Sequence, residues 1–150
     1  MRGLNSAYTP PPRKAISGRL LDEVYDDVKT HVTEAIHRLQ YLNIVIDESS
    51  NINRQRVVNI SAHTKIGSLY VLTEDIKALR MSGENYTNWL KNHLLIVCNG
   101  DPKRINSVNT DTCATMRDVW ERLRKLPEFK HIFTIGCDSH GMQCLKFFTD

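Results

Sequence analysis

The apolar residues of this chain change period at Tyr41, and that change limits the folds open to it. Upstream, Leu20, Leu21, Val24, Tyr25, Val28, Val32, Ala35, Ile36 and Leu39 recur at helical spacing. They predict an amphipathic helix over residues 14–40 that packs by one stripe on a neighbour. Ser17 is placed to cap it. Before it, "YTPPPRK" holds three consecutive prolines, which deny helix and make residues 1–13 an extended or disordered lead. Downstream the pattern is that of strands. "LNIVID" reads as a buried strand ending at Asp47, "RVVNISAHT" as a half-buried strand, and "SLYVLT" as a third. The "KIG" between the last two predicts a tight turn and a hairpin.

Helices and strands then alternate. Residues 74–85 are polar and read as loop. Trp89, Leu90, His93, Leu94 and Val97 predict a helix over Thr87–Val97, broken by "CNGDPK". "RINSVNT" is a strand candidate ending at Asp111. Met116, Val119, Trp120, Leu123 and Leu126 give a helix stopped by Pro127. "HIFTI" is a short strand, and "CDSHGMQCLKFF" starts a last helix. An N-terminal helix followed by βββαβαβα predicts an α/β fold with a mixed sheet. Its order matches that of ribonuclease H-like domains, with residues 41–150 forming a partial core of that type.

A chain of 150 residues has room for one modest domain or a piece of a larger one. With 20 basic and 17 acidic residues the net charge is +3, which permits a polyanionic partner without requiring one. The clusters Lys103-Arg104 and Arg122 to Lys125 read as solvated faces. No apolar run is long enough to span a membrane, and no apolar segment follows the basic residues near the start as in a secretory signal. The cysteines, Cys98, Cys113, Cys137 and Cys144, contain no CxxC pair. Together these features predict reduced thiols in an intracellular protein, nuclear or cytoplasmic, neither secreted nor membrane-bound.

Two carboxylates stand out. In an open α/β sheet, ligands gather at the carboxyl ends of parallel strands. Asp47 and Asp111 are predicted to lie on neighbouring strand ends, where two acids can hold Mg²⁺ or Mn²⁺ through oxygen ligands. A metal pair would clamp both oxygens of a phosphodiester displacement. The plainer reading is that Asp47 ends a strand in solvent and Asp111 caps a helix. "CDSHG" is a second constellation, with Cys137 and His140 three apart and His131 and Cys144 nearby. A structural zinc cage needs four well-spaced ligands, and the second pair here is poorly spaced, so zinc is not expected. There is no phosphate-binding glycine loop, nucleophile elbow or HExxH helix.

"DTCATMRDVWERL" and "GCDSHGMQCL" resemble the catalytic region of hAT-superfamily transposases, more narrowly a domain of unknown function in fungal hAT-type relatives. Asp47 with "SSNINRQRVVNISAHT", "GSLYVLTEDI" with "SGENYT", and "PPPRKAISGRLLDEVYDDV" extend the resemblance over nearly the whole chain. It implies a ribonuclease H-like core that binds transposon-end DNA and performs metal-dependent strand cleavage and transfer. Asp47 and Asp111 would be its first two acids, and Cys137 and His140 its CxxH motif beside the active site. Glu48 and Ser49 stand where many members carry Gly-Trp. The third acid, a Glu, lies beyond the CxxH helix in the family, and Asp150 is no substitute. The expectation is a truncated core, inactive as this chain. The competing readings are a domesticated DNA- or protein-binding module without catalysis, and a remnant that does not fold stably.

Overall fold

The structure, a computed structural model, describes residues 9–76 and 82–137. Its elements in chain order are α1 (Arg13–Ile16), α2 (Arg19–Arg38), β1 (Leu42–Ser50), β2 (Arg56–Thr64), β3 (Gly67–Asp75), α3 (Gly83–Val97), a 3₁₀ turn (Pro102–Arg104), β4 (Ile105–Thr110), α4 (Ala114–Lys125) and β5 (Phe133–Gly136). The expected mixed α/β architecture is present. Contacts divide the chain into two units at His31 and Val32, inside α2.

In the first unit the helix does not start at Ser17. Ser17 closes α1 instead, with its N–H bonded to the Arg13 carbonyl, and α2 begins after Gly18. The first half of α2 is held by local contacts, such as the Arg19–Glu23 ion pair at 2.6 Å. Leu21, Val24, Tyr25 and Val28 are exposed along it.

In the second unit five strands form one mixed sheet in the order β3-β2-β1-β4-β5. β1, β2 and β3 are an antiparallel meander, while β4 and β5 run parallel to β1. Two tight turns build the meander. Asn51 makes the first: its Oδ1 accepts from the N–H groups of Asn53 and Gln55, and Arg54 takes a positive φ of 58°. In the second, Thr64 Oγ1 donates to the Gly67 carbonyl.

One face of the sheet presents Ile44, Ile46, Val58, Ile60, Ala62 and Val108 to a continuous core. α3 covers it with Tyr86, Trp89, Leu90, Leu94 and Val97, and α4 with Met116, Val119 and Leu123. Fully burying a side chain of this size contributes about 1.5–3 kcal/mol, so these stripes fix the helices on the sheet. The other face is more open, with Val45, Tyr70, Phe133 and Ile135 exposed.

Two element boundaries in this unit differ from the sequence expectation. β1 does not stop at Asp47 but runs to Ser50, because its ladder with β2 continues to the Ser50–Arg56 pair. α3 starts a turn earlier than Thr87, since the Ser82 hydroxyl caps it by accepting from the Asn85 N–H at 3.2 Å. It ends at a left-handed reversal, Asn99 and Gly100, with φ of 54° and 77°.

Arg104 also differs from the expectation. Far from being a solvated cation, it donates to the carbonyls of Ile36 (2.7 Å), His37 (3.1 Å), Leu39 (2.6 Å) and Cys98 (2.9 Å). It thereby satisfies orphan carbonyls at the ends of both α2 and α3.

Candidate functional site

β1, β4 and β5 all end on one edge of the sheet, and the predicted carboxylates lie there. β1 and β4 pair Asn43 with Ser107, Ile44 with Val108 and Val45 with Asn109, each 64 positions apart. The same offset carried past the ladder aligns Asp47 with Asp111. A second ladder pairs Asn109 with Ile135 and Thr110 with Gly136, 26 positions apart. That offset aligns Asp111 with Cys137, and the Cys137 N–H indeed donates to the Thr110 carbonyl at 2.8 Å. Carried past the last ladder pairs, these offsets would set Asp47, Asp111 and Cys137 in one row, with Asp47 inside β1 and the other two just beyond β4 and β5.

Side chains alternate between the faces of a strand. Asp47 lies on the open face, on the same side of β1 as Asn43, whose Oδ1 accepts from Ser107 Oγ at 2.9 Å. Asp47 is exposed and stands opposite Asn59 of β2. Around it, Tyr70 donates to Thr73 (2.8 Å), Thr73 to Asn59 (2.5 Å), and Asn59 to Ser49 (3.0 Å). Asp47 itself joins no hydrogen bond or ion pair among the described residues, so its carboxylate is available.

Glu48 is adjacent in sequence but turned to the helix-covered face, where it pairs with Arg56. The sequence pair Asp47-Glu48 is thus divided between two environments.

Asp111 follows the last residue of β4. It is not the cap of α4, which is Cys113. Its Oδ1 accepts from the Cys113 N–H at 3.3 Å, a long bond that holds the carboxylate only loosely. Burial, followed by the neighbouring Asp111 carboxylate, pushes the Cys113 thiol up, with backbone hydrogen bonds opposing. Cys113 is therefore a poor thiolate nucleophile.

Sequence reasoning missed two residues here. The first is Tyr86, on the first turn of α3. It is 1% exposed, its ring meets Trp89 edge to face at 5.4 Å, and its hydroxyl has no hydrogen-bond partner. Burial raises its phenol well above the ordinary value, and the charges of Glu48, Asp111 and Cys113 push it further, with Arg56 opposing. The hydroxyl thus stays protonated well above the ordinary range. The second is Trp120 of α4, whose indole N–H is likewise buried without a partner. Its ring and the Thr112 methyl crowd Gly136, where a Cβ would meet Thr112 Cγ2 at 2.4 Å. The helical stripe that carries Trp120 was legible, but the missing partners of both groups were not, because partnering is settled by tertiary structure.

The carboxylate oxygens of Asp47 and Asp111 suit a hard cation such as Mg²⁺ or Mn²⁺, which retains several waters. Among the described residues, no three His, Cys, Asp or Glu side chains converge into a metal cage. His131 stands before β5 and Cys137 after it, and His131 Nε2 lies 3.0 Å from the Pro102 carbonyl instead. His140, Cys144 and the helix expected after Cys137 lie outside the described residues. No described helix is long and apolar enough to cross a membrane. In comparisons with known proteins, no family model and no curated protein matches this chain.

Proposed function

We propose that this chain carries part of a hAT-type transposase core with a ribonuclease H-like fold, whose ancestral chemistry is metal-dependent cleavage and transfer of DNA strands. The observation that supports this reading is the parallel β1–β4 ladder, whose 64-residue offset, carried two residues past its last pair, would set Asp47 beside Asp111. The sheet order, with a three-stranded meander followed by two parallel strands, supports the ribonuclease H-like assignment.

In this reading Asp47 and Asp111 hold Mg²⁺ or Mn²⁺. The bound ion supplies charge to stabilise the phosphodiester transition state and to acidify an attacking water. Asp47, unpartnered and exposed, faces the solvent side from which a duplex approaches. Cys137 and His140 shape the end of the row, and the transposon end is the DNA partner. Two carboxylates provide little charge for a metal pair, so a polypeptide of these 150 residues binds the ion weakly and does not nick DNA.

Calorimetry with Mn²⁺ tests the reading on the wild type and the Asp47→Asn, Asp111→Asn double variant. Weak binding by the wild type that the double variant loses is expected. Equal behaviour of the two would refute the shared site. A domesticated binding module is the second reading, favoured by the lack of a converging third ligand among the described residues. Salt-dependent DNA binding that the double variant retains, with no Mn²⁺ binding by either protein, would establish it.

A further inference from the structure

A contiguous apolar stripe rimmed by polar residues marks a place of association. The first half of α2 carries one. Leu21, Val24, Tyr25 and Val28 follow the spacing of a single helix face, and each is more than half exposed. The same stripe continues through Val32, Ile36 and Leu39, which pack against the core. One face of α2 is thus covered over its second half and bare over its first among the described residues. The rim of the bare half indicates what covers it. With about 100° between successive residues, Asp22 and Lys29 flank the stripe on one side, Asp27 and His31 on the other. Arg19 pairs with Glu23, and His31 lies 3.4 Å from Asp27. Asp22 and Lys29 join no ion pair among the described residues, and the Lys29 ammonium lies 5.9 Å from the centre of the Tyr25 ring.

We propose that two copies of this chain associate antiparallel through the first half of α2. Leu21, Val24, Tyr25 and Val28 of one copy seat against the same residues of the other, with Lys29 of each beside Asp22 of the other. Charge selects both the partner and its direction. In an antiparallel pair of identical helices, each flank faces the same flank of the other helix. Asp22 and Lys29 stand about two turns apart with Tyr25 between them. The two-fold axis therefore passes near Tyr25 and makes the Asp22–Lys29 pair twice. A parallel pair would instead turn Asp22 toward Asp27 of the second copy, like charge against like. Asp22, Asp26 and Asp27 also oppose seating of the stripe on an anionic lipid surface. The bare stripe spans only about two turns, so the dimer is weak and forms reversibly with concentration. The proposal is independent of the metal site.

Sedimentation equilibrium of the full chain over a concentration series tests this. The wild type should pass from monomer to dimer as concentration rises. Val24→Asp should remain a monomer. Asp22→Lys should weaken the dimer about tenfold, because two exposed attractions become repulsions. Adding Lys29→Asp to Asp22→Lys should restore the wild-type association. All three positions are exposed, so the variants keep the fold, and circular dichroism checks this. A wild type that stays monomeric throughout overturns the proposal. A dimer that Val24→Asp leaves intact also overturns it, since the contact then lies elsewhere. A dimer that Asp22→Lys tightens would show parallel pairing and overturn the antiparallel arrangement.

Discussion

Ser107 donates a 2.9 Å hydrogen bond to Asn43, the two residues standing four positions before Asp111 and Asp47 respectively. This side-chain bond ties β1 to β4 below the candidate site, where Ser107 is buried. Ser107→Ala should lower stability by about 1 kcal/mol, the usual net worth of one such bond. Urea denaturation with an unchanged slope would show this as a lower midpoint.

Arg104 joins two helix ends to the start of β4 through four carbonyl acceptors. Hydrogen bonds to a charged group contribute about 1.5–3 kcal/mol, and these share one guanidinium. Arg104→Ala should destabilise by about 3 kcal/mol. Arg104→Lys should recover less than half, because a single ammonium cannot reproduce the planar fork. Equal stability of the lysine variant and the wild type would show that charge alone suffices.

Gly136 precedes Cys137 and lies against Thr112, the residue after Asp111. Gly136→Ala should cost about 1–3 kcal/mol through crowding of the Thr112 methyl. Thr112→Ser removes that methyl, so the double variant should regain most of the loss. A double-mutant cycle by chemical denaturation measures the coupling, and additive effects would contradict the contact.

Alkaline pH should reveal Tyr86. Its folded phenol is raised above the ordinary value of about 10. Above that pH the unfolded chain releases the proton and the native state keeps it. The unfolded state then binds fewer protons, and stability falls as pH rises, with the full contribution present below about pH 10. The raised thiols of Cys98 and Cys113 act in the same direction from about pH 8.5 upward. Phenolate absorbance followed against pH should show a late step coincident with unfolding. Tyr86→Phe should remove that step and lessen the loss of stability.

Much of this arrangement was legible along the chain. The alternation in "RVVNISAHT" gives β2 residue for residue, and the Trp89 to Val97 stripe gives the body of α3. Local patterns suffice there, since one face is buried and the period names the element. Boundaries set by a partner were less legible: β1 outlasts its apolar run because β2 continues beside it. The same limit applies to the site. The parallel strands and their acids were readable, but the separation of Asp47 from Glu48 depends on pleat, and the unpartnered hydroxyl of Tyr86 depends on what packs around it. Arg104 misled because a cation beside a lysine looks solvated until two helix ends meet it.

The Asn51 turn acts as the ruler of the candidate site. By clasping Asn53 and Gln55 it fixes how β2 folds back on β1. A slip of one residue exchanges the two faces of a strand, but β1 is held by its ladder with β4 and by the buried Ile44 and Ile46. Insertions or deletions in this loop would therefore fall on β2, changing which of its residues stands opposite Asp47 while leaving Asp47 on the open face.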